Sequence, residues 1–158
     1  MSISDEQRSV GDDHFAEFYR SQYPGAVRLA YSLVGSLEGA EDVVQEVFAR
    51  MSGRISSVDT PATYLRVGIV HECQRVWYHR RKTAESRLPP REPIEPSTSA
   101  EMFDALLSLP YRQRAVLVLR YWADWSEAEI AEALDCRPGA VKSLASRGLS
   151  RLRQEIPK

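Results

Sequence analysis

SEAEIAEALDCRPGAVKSLASRGLSRLR, residues 126–153, is the stretch that decides how the carboxy-terminal part of this 158-residue chain folds. Ser126 and Glu129 have the spacing of a capping box, which predicts a short helix beginning there. A tight turn at residues 135–137 follows, and Pro138 is favourable at the first position of a further helix. Two helices joined by a three-residue turn predict a helix-turn-helix.

The last of these helices, predicted from Pro138 to about Glu155, has two contrasting faces at 100° per residue. Its apolar face holds Val141, Ala145, Gly148, Leu149 and Leu152. Its polar face, together with Arg137 in the turn, holds Lys142, Ser143, Ser146, Arg147 and Ser150. Small side chains permit close approach to a DNA groove, and Lys and Arg bind phosphates or guanine edges. A DNA-recognition helix is therefore favoured over a solvated face with surplus arginine.

A second helix, predicted around AEDVVQEVF (residues 40–48), also has two contrasting faces. Ala40, Val43, Val44, Val47 and Phe48 form the apolar side. Glu38, Glu41, Asp42, Gln45 and Glu46 form an acidic side with no lysine to make i,i+4 pairs. This face predicts a docking surface for a basic partner. The alternative is a solvated face whose acids are favoured near the helix amino terminus.

Thr60 and Pro61 predict the start of a longer helix that runs to about Lys82. It ends in WYHRRK, where Trp77 stands close to Arg80 and Arg81. Aromatic rings beside cations are suited to stacking on unpaired bases while the cations hold the nucleic-acid backbone. A core tryptophan followed by an ordinary basic helix end explains the same residues, and the chemistry leaves both interpretations open.

The remaining signals predict an all-α chain of two small helical domains, residues 12–82 and 98–156. Residues 83–97, TAESRLPPREPIEPS, contain four prolines and predict a flexible Pro-rich linker, so neither the spacing nor the orientation of the domains is expected to be fixed. Pro24-Gly25 predicts a division of residues 15–34 into two short helices. Ser36 is predicted to cap the next helix, and Thr98 with Glu101 to begin the second domain.

The composition is that of a soluble globular protein, with 43% apolar and 27% charged residues and a net charge of −1. No apolar segment approaches the roughly 18 residues that a membrane helix needs, and the start MSISDE does not resemble a signal peptide. A cytoplasmic protein is therefore expected. His71 and Cys73 do not share a helix face, so no metal site is predicted. No Gly-rich phosphate loop or Ser-His-Asp arrangement is present in the sequence, so neither a cofactor nor an enzyme is expected.

These motifs resemble the extracytoplasmic-function group of sigma-70-type factors, which keep only the second and fourth sigma regions joined by a linker. AEDVVQEVF resembles the core-polymerase-binding helix of that group, residues 64–82 its promoter-melting helix, and residues 106–153 its fourth region nearly throughout. Tyr64 stands where the group usually has tryptophan, His71 where it has asparagine and Arg75 where it has aspartate. In the fourth region, Asp135 replaces a turn glycine. These departures bear on the promoter sequence more than on the class of activity.

The resemblance implies three binding surfaces. Asp42, Gln45 and Glu46 would dock on the coiled coil of the polymerase beta-prime subunit, and the fourth region on the beta flap. The loop at residues 54–60 and the following helix would open the minus-ten element and hold an unstacked base; the residues expected there are Tyr64, His71, Arg75, Trp77, Arg80 and Arg81. The minus-thirty-five element would be bound by Arg137, Lys142, Ser143, Ser146 and Arg147. The usual regulator of such factors is an anti-sigma protein.

Two other functions remain open at this point. A stand-alone helix-turn-helix regulator would need a ligand pocket or dimer interface in residues 14–82, and neither is signalled. A co-sigma subunit would bind polymerase without binding DNA specifically. Promoter-specific initiation on bare core polymerase distinguishes a sigma factor from both.

Overall fold

The computed structural model describes residues 3–82 and 98–156, and within them the side chains of residues 3–9, 81, 98 and 99 are outside the description. The expected linker at 83–97 lies outside the described residues. The described part is helical, with one short 3-10 turn and no strand. Its elements are α1 (Ile3–Val34), α2 (Leu37–Met51), the 3-10 turn (Ile55–Ser57), α3 (Pro61–Lys82), α4 (Thr98–Ser108), α5 (Tyr111–Tyr121), α6 (Glu127–Ala133) and α7 (Pro138–Glu155).

The prediction of two short helices around Pro24 is wrong, because α1 continues through this residue. Proline removes one intrahelical hydrogen bond, but a helix tolerates the loss where packing on both sides fixes it. Pro24 itself is exposed, whereas Ala26, Ala30 and Leu33 in the following turns are buried. Burial of this apolar stripe therefore keeps the helix continuous. The helix also begins before residue 12, the predicted domain boundary.

The predicted helix starts are confirmed at four places. The Ser36 hydroxyl accepts a hydrogen bond from the Gly39 amide at 3.1 Å, capping α2. Pro61 begins α3 and Pro138 lies at the start of α7. At α6 both bonds of the capping box are formed: the Glu129 amide donates to the Ser126 hydroxyl at 3.1 Å, and the Ser126 amide donates to the Glu129 carboxylate at 2.9 Å.

Helices α1, α2 and α3 pack together as the amino-terminal domain. Each places an apolar stripe in the shared core, to which α2 contributes Val43, Val44, Val47 and Phe48. Helices α2 and α3 approach closely at Gly68, where an added Cβ would lie 2.9 Å from a methyl carbon of Val47. The absence of a side chain at Gly68 therefore sets the distance between the acidic helix and the basic helix.

Helices α4–α7 form the carboxy-terminal domain, with α5 at its centre. Seven consecutive residues of α5, from Gln113 to Leu119, are buried, so this helix contacts neighbours on all sides. Helix α7 packs on α5 through Val141, Ala145 and Gly148. An added Cβ at Gly148 would lie 3.1 Å from Leu117. The apolar face predicted for α7 is thus the face that holds it on the domain.

The two domains are packed against each other, so the expectation that their orientation is unfixed is wrong for this conformation. Helix α1 contacts α4 and α5, and α3 contacts α5 and α6. Tyr31 of α1 stacks on Phe103 of α4 with ring centroids 4.9 Å apart. The linker prediction rested on proline content alone and carried no information about complementary surfaces on the two domains. None of the described helices is long and apolar enough to cross a membrane.

Candidate functional site

The acidic face of α2 is exposed along its whole length. Glu38, Glu41, Asp42, Gln45 and Glu46 are all exposed, while the apolar residues between them are buried. Gln45 donates to the Tyr19 hydroxyl at 3.1 Å, and Arg50 lies 3.3 Å from Glu46. That ion pair is half-exposed on both sides, so it stabilises the helix by only about 0.5 kcal/mol or less. The face is therefore available to a basic partner.

The polar face of α7 is likewise exposed, at Lys142, Ser143, Ser146, Arg147 and Ser150. The Arg147 Nε donates to the Ser143 carbonyl at 3.3 Å, which directs the guanidinium along the helix surface. In the turn before α7, Asp135 has a φ of +51°, in the left-handed region that favours glycine. This backbone geometry explains why a turn glycine would suit the position. Arg137 is exposed immediately before the first helical residue.

The residues expected to bind the minus-ten element divide between different sides of α3. Tyr64, His71 and Arg75 recur at spacings of seven and four and form one exposed stripe. Trp77 is half-buried on another side, where its ring faces the carboxy-terminal domain. Arg80 contacts the start of α2 beside Gly39. The side chain of Arg81 lies outside the described residues.

A surface cavity of about 460 Å³ lies beside this stripe. It is lined by Val47 and Arg50 of α2, Val58 and Thr60 of the connecting loop, and Thr63, Tyr64, Val67, Gly68 and His71 of α3. This mixture of apolar, polar and aromatic lining groups suits a planar heterocycle that stacks on one face and forms hydrogen bonds at its edge. Gly68 and Val47, where α2 and α3 approach closely, both line the cavity.

A buried carboxylate organises the cationic side of α3. The side chain of Glu72 is 4% exposed, and it accepts hydrogen bonds from Arg75 Nε at 3.1 Å and from Arg50 Nη2 at 2.9 Å. The hydrogen bonds from Arg75, with those from Arg50, hold the pKa of Glu72 below its usual value despite burial. The same bonds raise the pKa of Arg50 and of Arg75. Glu72 thereby fixes the side chain of Arg75 in the exposed stripe and that of Arg50 at the cavity.

Two residues on different sides of α3, His71 and Trp77, are engaged by the carboxy-terminal domain. The Nε2 of His71 lies 2.7 Å from the carbonyl oxygen of Ala133 in α6, so the imidazole donates to it. The guanidinium carbon of Arg114 in α5 lies 4.4 Å from the centroid of the Trp77 ring. In this conformation, α5 and α6 therefore cover part of α3.

Sequence reasoning missed Arg114 and Glu72, the two buried charged side chains that organise the molecule. Arg114 is fully buried and Glu72 is 3% exposed. The local signals were a single cation directly before the apolar run AVLVL and a single acid between Val70 and Cys73. Each falls on the apolar face of its helix, a position where charged residues are rare unless they are paired.

Among the described residues, no cluster of three or more His, Cys, Asp and Glu side chains could hold a metal ion. Cys73 is buried, and burial raises the pKa of its thiol, so the thiolate needed for metal binding or nucleophilic attack is disfavoured. Cys136, in the turn before α7, is partly buried.

Comparison with known proteins places both domains in described families. Residues 18–85 match the family model for Sigma-70 region 2, and residues 99–152 match the model for Sigma-70, region 4. A protein named RNA polymerase sigma-E factor from Streptomyces coelicolor is 33% identical over 152 residues, covering 90% of this chain and 85% of that protein. The ECF RNA polymerase sigma factor SigW of Bacillus subtilis is 27% identical, covering 96% and 94%.

A solved structure has the same fold over most of both chains. It is the sigma factor RpoE of Bartonella quintana, crystallised in complex with the anti-sigma factor NepR. The TM-score is 0.72 at 21% identity, and the match covers 90% of this chain and 96% of that chain.

Proposed function

Because this chain belongs to the sigma-70 family, as an extracytoplasmic-function sigma factor with regions 2 and 4 that directs transcription initiation, we propose that α2 is its docking site on core RNA polymerase. Asp42, Gln45 and Glu46 supply the contacts, and the basic partner is the coiled coil of the beta-prime subunit. The observation that carries this assignment is an exposed face with four acidic side chains, one amide side chain and no lysine. The carboxy-terminal domain docks on the beta flap.

The proposed promoter contacts follow from the other two surfaces. Arg137, Lys142, Ser143, Ser146 and Arg147 bind the minus-thirty-five element in its major groove, since α7 presents an exposed face of short and cationic side chains.

The minus-ten element is held by α3. The cavity beside Tyr64 and His71 takes an unstacked base, and Arg75 meets the phosphate backbone. Trp77, Arg80 and Arg81 extend this surface towards the end of α3, where Trp77 can stack on a base once its ring is uncovered.

The chain acts as an initiation factor and not as a catalyst, since bond formation belongs to the polymerase. It works in the cytoplasm, where polymerase and promoter DNA are found. An anti-sigma protein, the usual regulator of this group, is a further proposed partner.

The test combines run-off transcription with core binding. The double variant Asp42→Lys and Glu46→Lys should lose both pull-down of core polymerase and promoter-specific run-off transcription, because each reversed charge would face a basic surface. The fold should survive, because both side chains are exposed. A matched control carries Asp13→Lys and Glu17→Lys, two exposed acids at the same i,i+4 spacing on α1.

Retained core binding by the Asp42/Glu46 variant would remove the docking assignment. Sequence-specific DNA binding with no effect on bare core polymerase would favour a stand-alone regulator. Core binding without promoter preference would favour a co-sigma subunit.

A further inference from the structure

The turn between α6 and α7 sets the direction in which the recognition helix leaves α6. Only residues 135–137 separate Leu134, which caps α6, from Pro138, which begins α7. Asp135 has a φ of +51°, in the left-handed region that favours glycine over a residue with a side chain. Because the turn is this short, a change in its backbone geometry is passed directly to the first turn of α7.

A side chain of α5 fastens the carboxyl end of α6. Arg112 Nη2 donates to the carbonyl oxygen of Leu134 at 2.7 Å. One residue pair further back, the Cys136 amide of the turn donates to the carbonyl oxygen of Ala131 at 2.9 Å. The end of a helix leaves carbonyl oxygens without intrahelical donors, and a cation there also meets the negative end of the helix dipole. Arg112 therefore holds the chain directly before the left-handed residue Asp135.

The Arg112 side chain is committed to this position. It is half-buried, and its Nε atom is buried with no hydrogen-bond partner among the described residues. Burial of an unpaired donor costs free energy, which the bond to the Leu134 carbonyl and the packing of the side chain offset. Arg112 is thus distinguished from the exposed cations Lys142 and Arg147, which extend from α7 towards solvent.

Helix α5 also holds α7, but further along its length. An added Cβ at Gly148 would lie 3.1 Å from Leu117 and 3.4 Å from Gln113. Gly148 comes ten residues after Pro138, which is about 15 Å along the helix.

Nearer the start of α7, Val141 is fully buried. Apolar contact of this kind is non-directional, whereas the hydrogen bond from Arg112 has a defined direction. The first part of the recognition face, at Arg137 and Lys142, therefore depends on the turn more than Arg147 does.

We propose that Arg112 is a positioning residue for promoter recognition. By holding the Leu134 carbonyl, it keeps the turn at Asp135 in the geometry that presents Arg137 and Lys142 to the minus-thirty-five element. The inference rests on the proposed function of α7 and assigns Arg112 no contact with DNA. When the bond is lost, fewer molecules have the recognition-competent turn, and the apparent affinity for the element falls by that fraction.

Run-off transcription tests the positioning role, with holoenzymes assembled from core polymerase and full-length variants. The templates are promoters substituted at one minus-thirty-five position at a time, and the measured quantity is the ratio of transcript from the intact element to transcript from each substituted one. Arg112→Met should lower this ratio about two- to fivefold, with the upper limit set by the worth of one net hydrogen bond. The loss should be concentrated at the positions where Lys142→Ala also loses preference.

Two matched substitutions accompany this variant. Arg112→Lys keeps the charge and a donor, so it should retain most of the ratio. Arg120→Met removes another arginine of α5, one that pairs with Glu127 at the opposite end of α6 at 3.6 Å, and it should leave the ratio unchanged.

A glycine in the turn separates positioning from general stability. Asp135→Gly makes the left-handed conformation intrinsically favourable, so it should restore the ratio in the Arg112→Met chain. Ser126→Ala weakens α6 at its amino end and should keep the full ratio, because a modest loss of stability leaves nearly all molecules folded. Hydrogen exchange of the Cys136 amide should be faster in Arg112→Met, and this measurement does not depend on the function of the chain.

Three results would overturn the positioning role: an unchanged ratio in folded Arg112→Met, a loss spread evenly over all positions of the element, or no recovery with Asp135→Gly. Unchanged exchange at Cys136 would remove the fastening itself. If Arg112→Met lacks the helical circular dichroism of the unsubstituted protein, Arg112→Gln carries the same expectations, since its side chain is polar but ends two bonds short of Nη2. An unsubstituted holoenzyme without preference for the intact element counts against the proposed function, whereas the exchange measurement still decides the fastening.

Discussion

Replacement of Glu72 by Gln should destabilise the amino-terminal domain by about 2 kcal/mol at neutral pH. Hydrogen bonds between charged partners contribute about 1.5–3 kcal/mol each, and Glu72 accepts them from two arginines. The side chains of Arg50 and Arg75 are 50% and 65% exposed, so water replaces much of what each loses, and the expected cost falls below the summed range of about 3–6 kcal/mol. Glutamine keeps the volume and one acceptor oxygen but removes the charge.

The pH dependence of this effect has a definite sign. The pKa of Glu72 in the folded chain lies below its ordinary 4.5, because Arg75 and Arg50 donate to the charged form. The carboxylate therefore contributes stability that is fully present above about pH 4.5 and is lost as the pH falls through the lower folded value. The difference in the free energy of unfolding between the unsubstituted protein and Glu72→Gln should shrink as the pH falls through that acidic interval. It should not change between about pH 6 and pH 8.

Thermal unfolding followed by circular dichroism at about pH 7, pH 5 and pH 3.5 measures both effects. A loss of about 2 kcal/mol corresponds to a decrease in Tm of about 4–8 °C for a chain of this size. The matched control is Glu17→Gln, an exposed carboxylate on α1. An unchanged Tm at pH 7, or a decrease of the same size at all three pH values, would refute the assignment of Glu72 as a charged organiser of the two arginines.

Substitutions in α7, α6 and α3 test three other features of the structure. Lys142→Ala should relax base preference at one promoter position at a cost of about 1–3 kcal/mol, whereas Arg147→Ala should weaken binding to all promoters alike and flatten the salt dependence of binding by about one unit. Run-off transcription from a promoter library separates the two effects. Unchanged base preference in both variants would mean that the recognition face is wrongly assigned. Ser126→Ala should cost about 1 kcal/mol, visible as faster amide exchange in α6 with little change in the amino-terminal domain. Gly68→Ala should lower the free energy of unfolding, although alanine is the better helix former, because the added Cβ meets Val47. Val47→Ala in the same chain should restore part of that free energy, as measured by urea unfolding.

The local structure of this protein was largely predictable because it is encoded by short-range signals. The capping box at Ser126, the proline at position 138 and the alternating faces of α2 and α7 each act within one or two helical turns. Signals of this range can be interpreted without knowing which contacts the other domain makes. The tight turn at residues 135–137 was predicted, but the left-handed backbone at Asp135 was not.

The failures share a different physical cause. Whether Pro24 ends a helix depends on what the neighbouring turns bury, and those contacts come from α2 and α3. Whether Arg114 is a surface cation or a buried donor depends on carbonyl oxygens as distant along the chain as Leu33. For the same reason the sequence alone left two interpretations of Trp77, a base-stacking residue or a core residue. The position of α5 determines that its ring contacts Arg114 in this structure.

Three acceptors at the domain contact, those of Leu33, Val70 and Ala133, are backbone carbonyls. A carbonyl oxygen is present whatever the side chain, so the acceptor half of each bond survives any substitution that preserves the helix. The donors of these three bonds are the side chains of His71, Tyr111 and Arg114. In a saturation mutagenesis screen for variants that keep the two domains in contact, few substitutions should be tolerated at the three donors, whereas the acceptor positions should be limited only by packing volume. A single substitution at one of the donors can therefore change the strength of the domain contact without any change on the opposite surface.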